Sequence, residues 1–244
     1  MASRTIHVSG DRASLAKEAS LRVAELAEKS IAARGEFHMA LAGGETPRQL
    51  YSQLATSGLD LAHWHIWFGD ERHVPHSHAA SNFLMARESL LDTAEFPNDR
   101  VHPFPTDLPP DEAAEAYARE MLAHLPSNAN EAVPRFDLVL LGMGTDGHTA
   151  SLFPTDTQPH PSEALVVPVE APGTAHRRLT LALPVLNAAR NVLFLIAGSN
   201  KASMLAEILG GESKLPAAEV CPNSGGLEFF VDAAAAKSLD ITPA

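Results

Sequence analysis

Four short clusters in this chain carry residue types that could do chemistry. In the most distinctive one an apolar stretch, Leu138-Val139-Leu140-Leu141, runs into Gly142-Met143-Gly144-Thr145-Asp146-Gly147-His148. An unperturbed imidazole titrates near ~6.5, so His148 can accept a proton from water at neutral pH. Asp146, two residues before it, can orient or polarise the ring, and the flanking glycines allow a ligand to approach closely. Taken alone, a histidine of this kind also fits a buried, hydrogen-bonded side chain with no catalytic task.

The other three clusters offer cations and phosphate-seeking backbone. At Gly43-Gly44-Glu45-Thr46-Pro47-Arg48-Gln49 a strand ends and a helix begins. Thr46 is the expected N-cap, Pro47 the first helical residue and Gln49 the closing member of a capping box. Free N–H groups at such a helix start attract phosphate, which Gly43 and Gly44 would admit close to the backbone. At Gly69-Asp70-Glu71-Arg72 the planar fork of Arg72 suits a phosphate, while Asp70 or Glu71 can hold that fork or meet sugar hydroxyls. In the fourth cluster Arg178 shares a strand face with Thr180, which turns Arg177 the other way. Lys201 opens a helix after Gly198, where its charge opposes the helix dipole and a bound anion would relieve it. Each cluster by itself also fits an ordinary turn or a solvated loop.

Two rival readings are weakened by spacing. Gly142-x-Gly144-x-x-Gly147, with Glu170 downstream, matches a dinucleotide-binding pattern, but Pro154 leaves little room for the helix that should open inside it. His63, His65, His73, His76 and His78, with Asp70 and Glu71, are raw material for a metal site. None of them makes a His-Glu-x-x-His helical pair, and Pro75 disfavours a helix that would align His73 with His76. Neither a metal nor a cofactor is expected.

The elements that must position these clusters alternate. Strands are expected at Thr5–Val8, Phe37–Ala42, Trp64–Phe68, Phe136–Leu141, Ala164–Val169, Leu179–Leu183, Val192–Ala197 and Leu227–Val231, with helices near Ala13–Ala33, Pro47–Ala55 and Glu112–Leu125 and a last one from Asp232. That rhythm predicts an α/β fold, a single Rossmann-like domain over residues 1–244 whose mostly parallel sheet is flanked by helices. The Pro-, Asn- and Asp-rich stretch from Phe96 to Pro134 reads as an excursion over that sheet. In an open parallel sheet, ligands bind beyond the C-terminal ends of the strands, where all four clusters fall.

Composition narrows the partners. A net charge of −12, from 18 basic and 30 acidic side chains, argues against a broad nucleic-acid surface, although a local cation cluster can still hold a small anion. The one cysteine, Cys221, cannot form an internal disulfide. With no targeting or membrane-spanning pattern, the expectation is a soluble, cytoplasmic protein whose oligomeric state the sequence leaves open, a monomer being compatible.

Taken together, Gly43-Gly44-x-Thr46-Pro47, Gly69-Asp70-Glu71-Arg72 and Gly144-x-Asp146-Gly147-His148-Thr149-Ala150-Ser151-Leu152-Phe153-Pro154 resemble the 6-phosphogluconolactonase family across nearly the whole chain. Glu45 departs from that pattern, which has a small or basic residue there; it either faces solvent or pairs with Arg48. The related glucosamine-6-phosphate deaminases also carry an Asp-Gly-His but continue with a further acid that Thr149–Pro154 lacks. The resemblance implies a phosphorylated sugar lactone as substrate and its hydrolysis, the second step of the oxidative pentose phosphate pathway. It implies His148 as general base on water and Asp146 as its orienting partner. Gly43, Gly44, Thr46, Asp70, Arg72, Arg178 and Lys201 would hold the substrate and its phosphate, and backbone N–H groups of the Gly144 and Gly147 turn would meet the oxyanion. Ser151 lacks the Gly-x-Ser-x-Gly elbow, so direct attack by water is expected.

Overall fold

The computed structural model describes residues 4–125, 133–155 and 163–240; the part of the expected excursion at 126–132 lies outside them. In chain order the elements begin with β1 (Arg4–Ser9), α1 (Arg12–Arg34), β2 (Phe37–Leu41), α2 (Glu45–Ala55), β3 (Trp64–Phe68), β4 (Asp70–Arg72), α3 (Asn82–Ala86) and α4 (Pro110–His124). They continue with β5 (Leu138–Leu141), β6 (Val166–Val169), β7 (Arg178–Leu181), α5 (Leu183–Ala188), β8 (Asn191–Ile196), α6 (Ala202–Leu209), α7 (Pro216–Glu219), β9 (Gly226–Asp232) and α8 (Ala233–Ala236). Local chemistry sets the boundaries. Asp11 caps α1 by accepting the Ser14 N–H at 2.7 Å, and Gly35, at φ 86°, ends it in the left-handed conformation that glycine adopts without strain.

Six strands form a parallel sheet in the order β1-β9-β8-β5-β2-β3. From β2 the chain steps outward to β3 and later returns on the other side as β5, so the order reverses between β2 and β5. Strands β2 and β3 are buried along their whole length, and β3 is covered on its outer side by a bridge from Ile66 to Val101 and by the His102 N–H on the Ile66 carbonyl.

The expectation of one sheet needs correction. Strands β6 and β7, expected within the main sheet, pair antiparallel and with β4 make a separate three-stranded sheet in the order β4-β7-β6. Gly69 is where the two sheets part. Its N–H donates to Leu41 of the main sheet and its carbonyl accepts from Leu181 of the small one. A Cβ there would lie 3.3 Å from the Leu41 carbonyl oxygen, so the branch is tight enough to favour glycine. The strand expected to reach Leu183 stops at Leu181, because Leu183 starts α5 with Pro184 in its first turn.

The N-terminal edge of the sheet holds a column of histidines. His38 and His65 are register partners on β2 and β3 with rings stacked 4.5 Å apart, and His102 lies 5.4 Å beyond, stacked on Trp67. All three are buried. Burial first, then the nearby His65, push His38 down to about 4, against the opposing pull of Glu36. The folded value lies below the unfolded one, so the unfolded chain takes up this proton first as pH falls. Unfolding free energy should therefore drop by up to about 3 kcal/mol between pH 6.5 and 4 on account of His38. Urea titrations across that range should show a flatter profile for His38→Gln; equal slopes would remove His38 as the source.

Candidate functional site

The loops after β2, β3, β5 and β8 meet above the C-terminal edge of the main sheet, at the point where the strand order reverses. They enclose a cleft of about 410 Å³ whose wall includes Gly43, Asp70, Arg72, His148, Arg178 and Lys201. Gly44, Asp146 and Gly144 also line it, whereas Thr46 and Gly147 do not.

The loop after β5 is a tight turn built around one hydrogen-bonded pair. Asp146 Oδ1 accepts from His148 Nδ1 at 2.6 Å and from the His148 backbone N–H at 3.2 Å. With its proton on Nδ1, the ring keeps its lone pair on Nε2. Burial pushes the Asp146 carboxyl up, but the His148 N–H groups and the charge of that ring outweigh it and hold the acid below its ordinary value. A Cβ on Gly144 would fall 2.1 Å from His148 Nδ1 and 2.3 Å from Asp146 Oδ1, so the pair can close only over a glycine. Gly147, at φ 82°, packs against Leu215 and Met204, and its carbonyl accepts from Ala217, which braces the turn from α6 and α7.

The same turn overrules the expected oxyanion donors. The Gly144 N–H donates to the His148 carbonyl at 2.8 Å and the Gly147 N–H to the Gly144 carbonyl at 3.3 Å, so both are spent within the loop. Among the described residues, no partner falls to the N–H of Gly43 or Gly44. Downstream the chain folds back through a Thr149–Leu152 bridge rather than into a helix, unlike a dinucleotide-binding turn.

Cations come from the small sheet. Arg72 on β4 and Arg178 on β7 are register partners, side by side on the cleft wall. Each buries an Nε without a hydrogen-bond partner, and Arg72 Nη1 donates to the Ala80 carbonyl. Burial and then the charge of Arg72 lower Arg178 from its ordinary value, against the pull of Asp70 and Glu71. Arg177 points away and pairs with Glu170 at 2.5 Å, as the strand alternation requires. Asp70 and Glu71 divide the work that could have fallen to either. Glu71 is buried and accepts the N–H groups of Arg72, Asn82 and Phe83 and the Ser81 hydroxyl, which anchors the start of α3 to β4. Burial raises its carboxyl despite those bonds. Asp70 faces the cleft, where its oxygens accept from Ser151 Oγ at 2.6 Å and Asn82 Nδ2 at 3.2 Å.

Lys201 follows Gly198, which turns at φ 102° with its N–H held by both carboxylate oxygens of Asp232 at 3.0 Å. Burial lowers the Lys201 ammonium, and the Asp146 charge pulls it back up.

The expected cap on α2 is displaced. The helix begins at Glu45 with Gly44, at φ 104°, as its N-cap and no side chain capping it. Thr46 and Pro47 therefore sit inside the first turn, and no capping box forms, because the glycine at positive φ starts the helix two residues early. Glu45 is exposed, and Arg48 pairs with Glu88 rather than with it. The five histidines His63, His65, His73, His76 and His78 do not converge among the described residues; His73 and His76 bond the carbonyls of Leu108 and Phe104.

Residues 10–229 match the model of a family described as glucosamine-6-phosphate isomerases/6-phosphogluconolactonase. The chain belongs to this family.

Among family members, the 6-phosphogluconolactonase of Rattus norvegicus is 40% identical over 236 residues, covering 94% of this chain and 90% of its own. The solved 6-phosphogluconolactonase of Trypanosoma brucei superposes with a TM-score of 0.87 at 32% identity, covering 98% of this chain and 100% of that one. The GDH/6PGL endoplasmic bifunctional protein of Homo sapiens is 43% identical over 209 residues, 81% of this chain, and the matched part spans 26% of that longer protein. The reading from residues missed Asn82. Its amide bridges the Asp70 carboxylate, and a Cβ on Gly43 would lie 2.2 Å from its Oδ1, so it ties the loops after β2 and β3 together. The signal available was Ser81 as the N-cap of α3, which places Asn82 at the start of that helix. Ala150, at φ 48° on the cleft wall, was also unmarked.

Replacing Gly144 with alanine should open the Asp146–His148 pair. The low-field Nδ1 proton resonance of His148 should vanish from the NMR spectrum while the melting temperature shifts little. A retained resonance would show that the loop can yield to a methyl group.

Proposed function

We propose that this chain hydrolyses 6-phospho-D-glucono-1,5-lactone to 6-phospho-D-gluconate. The observation that carries the reading is one cleft with a histidine base, oriented by Asp146, at one end and an unpaired guanidinium couple in the same wall. A phosphate between Arg72 and Arg178 would satisfy their Nε groups and relieve their mutual repulsion. Gly43 and Gly44 offer N–H groups to the same anion, and Asp70, fixed by Ser151 and Asn82, is placed for sugar hydroxyls.

His148 Nε2 takes a proton from water as its oxygen attacks C1, and the carbonyl electrons move onto the oxygen. When the tetrahedral species collapses, the ring C1–O bond breaks and the imidazolium returns the proton to the leaving oxygen. Asp146 keeps the proton of Nδ1 in place and stabilises the imidazolium. Lys201, within reach of the Asp146 charge, lends positive charge at the dyad end where the oxyanion develops. Ser151 takes no covalent part, since its hydroxyl is committed to Asp70. No helix among the described residues is long and apolar enough to cross a membrane. The free Cys221 fits a reducing, cytoplasmic setting, and we read the chain as acting on this small substrate without nucleic acid and able to do so as a monomer.

Loss of freshly made lactone should exceed its spontaneous rate in wild type, and His148→Ala should cut kcat by about 10² to 10⁴. Turnover of glucosamine 6-phosphate instead, with no lactone acceleration, would overturn the reading. Arg178→Ala should raise KM at least tenfold with a smaller change in kcat; a fall in kcat at constant KM would remove it from phosphate binding.

A further inference from the structure

At the opposite edge of the sheet, far from the cleft, the histidine column ends in a second group of ligand-type side chains. A ring nitrogen each from His102 and His124 and a carboxylate oxygen of Glu120 lie within 4.8 Å of one another. Glu120 and His124 are four residues apart on α4 and so share a helix face, and His102 closes on them with Nδ1 2.7 Å from Glu120 Oε1. Two imidazoles and a carboxylate are a donor set for zinc-like divalent ions. His124 is prepared for the role: its Nδ1 donates to the Glu120 carbonyl at 3.0 Å, which leaves the lone pair on Nε2 of an exposed ring that can turn toward the carboxylate.

His102 is not prepared, and the reason lies two side chains away. Arg100 Nη1 lies 2.8 Å from His65 Nε2, nearer than Glu36 Oε1 at 3.4 Å, and a guanidinium can only donate, so that nitrogen carries the lone pair. The His65 proton is then on Nδ1, which faces His102 Nε2 at 3.1 Å and makes it the acceptor. His102 must therefore carry its proton on Nδ1, where it is given to Glu120. The nitrogen that should meet a metal is blocked by a proton placed there through the chain Arg100–His65–His102–Glu120. A neighbouring triad, Glu36, His38 and His65, has the inverse problem. Arg100 already lies on His65 and 3.6 Å from Glu36, and the Trp67 indole N–H, 3.3 Å from His38 Nδ1, puts the His38 proton on the nitrogen that faces Glu36.

We propose that His102, Glu120 and His124 form a site for one divalent transition-metal ion, zinc the best fitted, and that Arg100 weakens it by fixing the tautomer of His65 and hence of His102. Binding moves the His102 proton to Nε2 and the His65 proton to Nε2, so the Arg100–His65 bond is given up; no proton leaves the pair of rings.

The test is calorimetric titration of Zn²⁺ and Ni²⁺ into the full chain carrying His148→Ala, which removes the histidine–carboxylate pair of the cleft. One equivalent of Zn²⁺ should bind, and Ni²⁺ should quench emission from Trp67, whose ring lies 3.9 Å from His102. His124→Ala, at an exposed position on the last turn of α4, should weaken binding at least tenfold, as should Glu120→Ala. Arg100→Ala should tighten it several-fold, and adding His124→Ala to that variant should abolish the gain; a gain that survived would place the ion on Glu36, His38 and His65 and overturn the assignment. Absence of binding by either metal, or affinity indifferent to His124→Ala, would also overturn it. An unchanged affinity in Arg100→Ala would overturn the control by tautomer. Lactone hydrolysis by the otherwise wild-type His124→Ala protein should match that of wild type.

Discussion

Two guanidinium groups held side by side in a half-buried wall are the constraint on which much of this structure depends. Arg72 and Arg178 repel each other, and each leaves a buried Nε without a partner. Left to itself the chain would separate them, since exposed arginines hydrate easily and buried like charges do not. A three-stranded antiparallel sheet of very short strands keeps them opposed by backbone register instead. Glu71, buried beneath β4 with its carboxylate saturated by three backbone N–H groups and a hydroxyl, fixes one side of that register. Gly69 fixes the other by donating to one sheet and accepting from the next. The small sheet thus stores an unfavourable charge arrangement that, in our reading, an anionic substrate would relieve, so that its binding energy positions the reacting end.

The base is held by a different device. Glycines at 142, 144 and 147 allow the loop after β5 to close on itself, and the closure consumes the N–H groups of Gly144 and Gly147. Rigidity of the dyad is gained at the expense of oxyanion donors, and the cation Lys201 takes on that electrostatic task in our reading. Asp232 shows how far the bracing extends. It caps α8 through the Ala235 N–H and, with the same carboxylate, holds the Gly198 turn that presents Lys201.

The strand–helix rhythm, the parallel sheet and the residues at its C-terminal edge were legible because hydrophobic period and glycine turns encode them locally. The second sheet was not. Strands of three or four residues, such as Asp70–Arg72 and Arg178–Leu181, show a period of two without saying which sheet they join, and the decision rests on bonds between Gly69 and residues as distant as Leu181. The N-cap of α2 was misplaced by two residues because a glycine at positive φ can cap a helix as well as a threonine can, and φ is not written in composition. Gly144 and Gly147 were read as places for a ligand to approach, whereas the room at Gly144 is taken by the Asp146–His148 pair, and which way an N–H points depends on how the turn closes. Asn82 acts on Asp70 only through the fold.

Histidine shows best why residue type alone does not decide function. His148 and His102 each lie within 2.7 Å of a carboxylate through Nδ1, so both carry a proton there. They differ in what meets Nε2. For His148 that nitrogen faces the cleft, with no fixed donor or acceptor on it among the described residues, so it can give and take a proton with substrate. For His102 it accepts from His65, which is itself held by Arg100, so the lone pair is already used. A carboxylate on one nitrogen therefore makes a base of an imidazole only where the other is left unclaimed. At the N-terminal edge, the same chemistry produces a locked column whose availability to a metal is set by an arginine that never touches the ligands.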